Sequence, residues 1–312
     1  MTTRLNRRQT LGAMAALPVS AGLLATARPA AAVPERAGPA TAPFHRIRLG
    51  GFDVTTLLAG TRTVPDLQTI FGLNVGAEDF AAAAEAAMIP ADRSQFFFTP
   101  TVVNTGSDLV LFDTGLNPEG ITAALGAAGY APGDVTAVVI THMHGDHIGG
   151  LMGETGPTFP NARYFAGAEE FDHWTMSGNE LFGRNVEPLA EQMTMLDDGD
   201  SPVSGVTAMA SFGHTPGHMA FMLESEGQSL LLIGDITNHY VFSLAHPDWE
   251  VRFDMDKAAA AATRRRVLGM LAAERMPFVG YHMPFPGIGY VAAAGDGFRY
   301  VPHSYQLMMD TG

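Results

Sequence analysis

The 312-residue chain contains no cysteine. That absence excludes disulfide scaffolds, Cys₄ zinc sites, iron–sulfur clusters and thiol nucleophiles together. Positive charge is scarce as well: 18 Lys and Arg stand against 32 Asp and Glu, for a formal net charge of −14. A surface of that sign is poorly suited to displacing counterions from a phosphate backbone, so nucleic acid is not an expected partner. Long apolar runs are missing too. The weakly apolar stretch from Leu11 to Ala27 is broken by Pro18 and falls short of a membrane span. What remains, 46% hydrophobic and 16% charged, is the composition of a chain that packs a core.

Residues 1–32 hold Arg4, Arg7, Arg8 and Arg28 and no acidic residue. The Arg7-Arg8 pair before a mild apolar run, with Ala30-Ala31-Ala32 as a small-residue cleavage site, resembles a twin-arginine export signal. The expected organisation is therefore a signal peptide at 1–32, a linker at 33–43 and one folded domain at 44–312. Loss of the four arginines would take the formal charge from −14 to −18. The mature chain is then expected in the periplasm with no membrane partner. An oxidising compartment without cysteine leaves stability to the core and to bound metal.

Hydrophobic periodicity gives the outline. Alternation in His45–Leu49 and Phe52–Leu57 around Gly50-Gly51 predicts two strands, and Thr101–Val103 with Leu109–Phe112 predicts a hairpin across Asn104–Asp108. The unbroken apolar runs Val135–Ile140 and Leu230–Ile233 predict buried strands. Helices are expected near 79–88, 119–128 and 256–275, with Gly129 and Pro277 ending the last two. Phe278 to His282 reads as a short strand, and Arg264-Arg265-Arg266 as a solvated helix face. Strands and helices interleave, so the class is α/β with polar chemistry at strand ends.

The histidines carry that chemistry. His142-x-His144-x-Asp146-His147 sets three imidazoles and a carboxylate within six residues, directly after a buried strand. Crowded imidazoles lose hydration and repel when protonated, whereas a divalent metal takes their neutral nitrogens as ligands. A turn can aim so many neighbouring side chains at two adjacent points. His214 in Gly-His-Thr-Pro-Gly-His, Asp235 after Gly234 and His282 after Gly280-Tyr281 are further candidates in glycine-rich settings.

With these motifs the sequence resembles the metallo-β-lactamase superfamily of dinuclear metal hydrolases. The resemblance implies a four-layer αββα sandwich with a dinuclear metal site at the sheet edge. It implies His142, His144 and His214 as ligands of one metal, Asp146, His147 and His282 as ligands of the other, and Asp235 bridging both. Asp113 in Asp113-Thr114-Gly115 corresponds to the aspartate that steadies the ligand loop; His218, four residues after His214, is read from its position as a group that packs against or supports the ligands. The two divalent ions are expected to be zinc, with iron, manganese or cobalt also suited to the donor set. Cleavage would use a hydroxide shared by the metals, with Asp146 and Asp235 as the catalytic carboxylates.

Within the superfamily, exported enzymes similar to methyl parathion hydrolase share Ser229–Asp235, Phe285–Gly289 and Gly297–Pro302, which implies ester, lactone or phosphotriester substrates with apolar or aromatic parts. Acyl-homoserine lactonases are the alternative, but they carry a tyrosine three residues after the bridging aspartate, where this chain has Asn238 and places Tyr240 two positions on. A non-catalytic periplasmic metal-binding protein is the other alternative. Candidates for substrate contact are Phe71, Phe171, Trp174, Phe182 and Asn238. The irregular segment 60–94 leaves room for a homodimer arm.

Overall fold

The structure is a computed structural model that describes residues 40–309. The expected signal peptide, and the linker as far as residue 39, lie outside the described residues.

Each of the buried runs has apolar side chains on both faces, and the architecture follows from that. In Leu109–Phe112, Val110 and Phe112 enter one core while Leu109 and Leu111 enter another. Ala137 and Val139 divide from Val138 and Ile140 in the same way, and Leu230 and Leu232 from Leu231. Side chains alternate across a strand, so a strand lacking polar alternation must be covered on both sides.

The first sheet has seven strands in the order Phe44–Leu49, Phe52–Leu57, Thr101–Asn104, Leu109–Phe112, Ala137–Ile140, Arg163–Gly167 and Met193–Leu196. Neighbours are antiparallel as far as Leu109–Phe112 and parallel beyond it. The second sheet has six strands: Val206–Ala210, Met219–Ser225, Gln228–Leu232, Phe278–Val279, Ile288–Ala294 and Gly297–Pro302. Val54, Val103, Phe112 and Val139 of the first face Phe221, Leu223, Leu230 and Leu232 of the second.

Helices close both outer faces. Pro118–Ala128 lays Ile121 and Leu125 on Leu111 and Val138; Asn117 caps its start, and Gly129 ends it at φ +90°. Lys257–Glu274 lays Val267, Leu268 and Leu271 on Leu231, Phe278 and Val291, with Asp256 accepting from the Ala259 N–H at its start. The layers run α, β, β, α, as the resemblance implies.

Two local expectations need correction. Phe278 to His282 is a strand only over Phe278–Val279, and His282 stands in the loop beyond it. Segment 60–94 is not irregular: Gly60–Pro65 pairs antiparallel with Arg93–Phe98 around a helix at Ala77–Ala86. Leu67, Ile70, Phe71 and Phe80 from this excursion pack against Val241, Phe242 and Val251 of the same chain.

His239 belongs to that small core, with its ring against Phe71 and Phe242 and its Nδ1 accepting from the N–H groups of Val241 and Phe242. Burial pushes it down to about 3. The unfolded chain takes up this proton near pH 6.5 and the folded chain does not, so stability is complete above 6.5 and declines as pH falls toward 3. His239→Asn keeps an acceptor and removes the titration. Between pH 7.5 and 5.5 the variant is expected to lose about 1.4 kcal/mol less than the wild type in urea unfolding; equal losses would count against a neutral buried His239.

Candidate metal centre

The strand Ala137–Ile140 delivers Thr141 and then the loop and short helix that carry His142, His144, Asp146 and His147. Across the inter-sheet edge, His214 lies in the loop after Val206–Ala210, Asp235 in the loop after Gln228–Leu232 and His282 beyond Phe278–Val279. Both sheets therefore contribute strand ends to one place. His144 Nδ1 lies 3.1 Å from His142 Nε2 and 3.0 Å from His214 Nε2. Beside them, Asp146 Oδ2 is 3.2 Å from His282 Nε2 and 3.7 Å from His147 Nε2. Asp235 stands between the two sets: Oδ2 is 3.4 Å from His214 Nε2 and 3.2 Å from His282 Nε2, and Oδ1 is 3.5 Å from His147 Nε2.

The outer nitrogens are held. Asp113 accepts from the Thr141 N–H, the Thr141 hydroxyl and His147 Nδ1, each at 2.8 Å. These bonds retain Asp113 in the left-handed region at φ +59°, which costs a non-glycine residue about 1 kcal/mol. The Thr141 hydroxyl, already donating to Asp113, accepts from His142 Nδ1 at 3.1 Å. His214 Nδ1 donates to Asp254 at 2.9 Å and His282 Nδ1 to the Phe97 carbonyl at 2.8 Å. These bonds orient four imidazoles so that each turns Nε2 inward, the nitrogen a metal would take.

Electrostatics across the cluster is divided. Burial drives His142 well below its ordinary value and His144 down to about 3, with their imidazole neighbours adding to it. Burial also opposes charge on His282, yet Asp235 and Asp146 outweigh it and hold that ring at about 10. Burial pushes Asp235 up, but His282 and His147 bring it well below the usual carboxylate range.

The donor set suits a cation. His147 Nε2 and Asp235 Oδ1 are buried without any hydrogen-bond partner, an expensive state unless something else meets them. Each of three groups, His142/His144/His214, His142/His147/Asp235 and Asp146/His147/His282, has its ligand atoms within 4.8 Å of one another. Nitrogens bound to one tetrahedral zinc stand about 3.3 Å apart, close to the spacing here. The donors fit two divalent metals.

Three residues that hold the site are not named by any motif. Glu170, fully buried, accepts from the Met143 N–H and the Trp174 indole through Oε1, and from the Thr215 hydroxyl and the Gly217 N–H through Oε2. It ties the His142 loop to the His214 loop. Gly217 is required for that approach, since a Cβ there would fall 2.0 Å from the Glu170 nitrogen. Asp254 and Arg264 form a buried ion pair at 2.7 Å behind His214, and Arg264 also donates to the carbonyls of Ile236 and Pro247. Arg264 is 1% exposed, so it is not part of a solvated helix face. Its spacing from Val267, Leu268 and Leu271 is helical and would have placed it on the buried side. His218 accepts from the Asp235 N–H at 3.0 Å and positions that carboxylate.

A cavity of about 520 Å³ opens on the cluster at His144, Asp146, Asp235 and His282. Its apolar wall includes Val64, Ile70, Phe96, Phe98, Leu116 and Leu181. The proposed substrate contacts are elsewhere. Phe71 and Phe182 are buried in separate cores, Phe171 packs on Phe182, and Trp174 turns its indole N–H to Glu170 with its ring edge-on to His144. Their residue types suit a pocket, but the same types fill cores, and only the excursion at 60–98 decides which aromatics face the cluster. Asn238 is buried and donates to Asp235 Oδ2 at 3.3 Å. Tyr240 lines a different cavity of about 420 Å³, which shares only His282 with the cluster.

A family model described as the metallo-beta-lactamase superfamily matches residues 99–277. Among curated relatives, the lactamase-like protein nscB of Neosartorya fischeri is 31% identical over 153 residues, 47% of this chain and 39% of its own length. The N-acyl homoserine lactonase AttM of Azorhizobium caulinodans is 31% identical over 127 residues, 37% of this chain and 46% of its own. The chain thus spans less than half of these relatives. Among solved structures, AidC, a dizinc quorum-quenching lactonase in complex with a product, superposes with TM-score 0.78 at 24% identity, covering 84% of this chain and 98% of its own. The hydrolase AbOPH of the beta lactamase superfamily does so with TM-score 0.79 at 24% identity, covering 86% and 100%.

Proposed function

This chain belongs to the metallo-beta-lactamase superfamily, and we propose that it is a dinuclear metal-dependent hydrolase of esters and lactones with apolar acyl or aryl parts. The observation that carries this reading is the position of Asp235 between two sets of inward-facing ligand atoms, beneath a cavity with an apolar wall. His142, His144 and His214 would hold one metal, Asp146, His147 and His282 the other, and Asp235 both. Bound there, two divalent cations supply Lewis acidity, lowering the pKa of water toward neutrality and polarising the scissile carbonyl. Imidazole and carboxylate donors suit zinc first.

The chain's own groups do the positioning. Asp113, Asp254, Thr141 and the Phe97 carbonyl retain the Nδ1 protons, so the ligand rings do not swing. His218 and Asn238 fix Asp235 from its backbone and its carboxylate. Phe96, Phe98 and Ile70 would orient an apolar acyl part and exclude water beside it. Acyl-homoserine lactones are the second reading, supported by the likeness to AttM and AidC, with Asn238 rather than tyrosine beside Asp235.

The test is metal per chain by elemental analysis, together with turnover of p-nitrophenyl esters, dihydrocoumarin, hexanoyl-homoserine lactone and methyl paraoxon. Near two metals with ester or lactone cleavage is expected. Two metals and no turnover of any of the four would favour a binding protein instead. A chain that takes up no metal would overturn the centre itself.

A further inference from the structure

We infer that the substrate of this centre carries an anionic group, a carboxylate, at the far end of an apolar body. The inference deepens the hydrolase reading above and rests on it. Three arginines, Arg62, Arg184 and Arg252, line the same cavity as His144, Asp146, Asp235 and His282. They come from three separate segments: the strand Gly60–Pro65, the helix Glu180–Asn185 and the loop after the bridge at Val251.

Their placement is specific. Arg62 pairs across its hairpin with Phe96, and alternation puts Val64 and Phe98 on that same cavity-facing side. Arg184 follows Leu181 by one helical turn, and both line the cavity. The Arg252 N–H donates to the Ile70 carbonyl at 2.7 Å, which holds that arginine's backbone beside the apolar wall. Each of the three is thus tied to a wall residue that a carbon chain would touch.

Charge makes the clustering informative. Among the described residues, Arg48, Arg93, Arg163, Arg264 and Arg265 are each in an ion pair with an aspartate; Arg62, Arg184 and Arg252 have no carboxylate within 4.0 Å, and the other arginines without one, Arg46, Arg266, Arg275 and Arg299, lie outside this cavity. The chain has 32 acidic residues, yet among the described residues the only carboxylates lining this cavity are Asp146 and Asp235. Those two belong to the candidate metal ligands. Three exposed arginines without a carboxylate partner around one cleft of an acidic chain raise the positive potential at its mouth, and the guanidinium fork matches a carboxylate in shape as well as charge. A neutral ester or lactone would offer none of the three a carboxylate; Arg252 meanwhile lies over the Phe253 ring at 5.0 Å.

The reaction is unchanged by this. The oxygen of water bonds to the acyl carbon, the acyl–oxygen bond to the alcohol breaks, and the proton goes to the leaving group or to solvent. The remote carboxylate takes no part in it.

The experiment compares mono-p-nitrophenyl glutarate with p-nitrophenyl valerate, esters of equal chain length that differ in the terminal carboxylate, on the zinc-loaded full chain. The ratio of their kcat/KM values is expected to favour the glutarate by about tenfold or more at low salt. It should fall several-fold in 0.5 M sodium chloride, where the Debye length is only about 4 Å. In R62Q/R184Q/R252Q the ratio is expected near one. Each single substitution should lower it by about two- to threefold if the three contribute alike, which keeps the test open should the triple variant misfold. A ratio at or below one in the wild type, or the same ratio in the variants, overturns the inference.

If neither ester is cleaved, the hydrolase reading is decided by the lactone and phosphotriester substrates above, and calorimetry with glutarate against valerate decides the inference separately. Tighter glutarate binding that is lost in the variants sustains it; equal binding of the two acids overturns it.

Discussion

Asp235→Asn is expected to lower ester or lactone turnover by more than about 100-fold and to reduce bound metal from near two per chain to one or fewer. The substitution preserves shape, so a loss reports on charge and donor character. Replacing a partner that only orients a ligand already costs about 10- to 100-fold in metal affinity or activity. A carboxylate placed within 3.2–3.5 Å of nitrogens from both ligand sets should cost more than that. Elemental analysis and kcat measured on the same preparation check it. Wild-type turnover with two metals retained would end the reading of Asp235 as the shared ligand.

Arg264→Met carries the largest expected effect on stability. Both Arg264 and Asp254 are 1% exposed in their side chains, so removal of the guanidinium strands a carboxylate where water cannot reach it. Breaking a buried pair from one side costs about 3–5 kcal/mol, which for a domain of this size lowers Tm by roughly 10 °C. Asp254 also accepts from His214 Nδ1, so zinc affinity, read by competition with a chelating dye, should drop with it. Asp254→Asn combined with Arg264→Met removes both charges and is expected to recover part of the lost Tm. A Tm within about 2 °C of wild type in the single variant would mean that Arg264 is solvated after all.

The buried strands and the histidine cluster were legible for physical reasons, while the four-layer arrangement followed from the resemblance. A strand buried on both faces has to be written as an unbroken apolar run, as Leu109–Phe112 and Leu230–Leu232 are. Ligands close in sequence, as in His142 to His147, advertise themselves by the cost of crowding imidazoles. The supporting residues had no such signature. Glu170 joins two loops through three hydrogen bonds, each to a group distant in sequence. Arg264 sits in a run of three arginines whose neighbours, Arg265 paired with Asp248 and Arg266 bonded to the Ala210 carbonyl, do face outward. The cavity wall was least readable, because which aromatic faces the cluster depends on the path of a hairpin that folds back from residue 60.

The division of ligands between the two sheets bears on how the chain folds and how long it stays folded. His142 and His282 are 140 residues apart in sequence yet belong to one cluster. Bringing such distant segments together pays a large loop-closure entropy before any contact rewards it, which makes the topology a slow one to assemble. The cluster is complete only after both sheets have docked, so contacts made by bound metal form late. Interactions absent from the transition state act chiefly by slowing escape from the native state. In a chain with no covalent cross-link, metal is therefore expected to lengthen the folded lifetime more than it speeds folding, and a chelator to shorten that lifetime while leaving the folding rate nearly as it was.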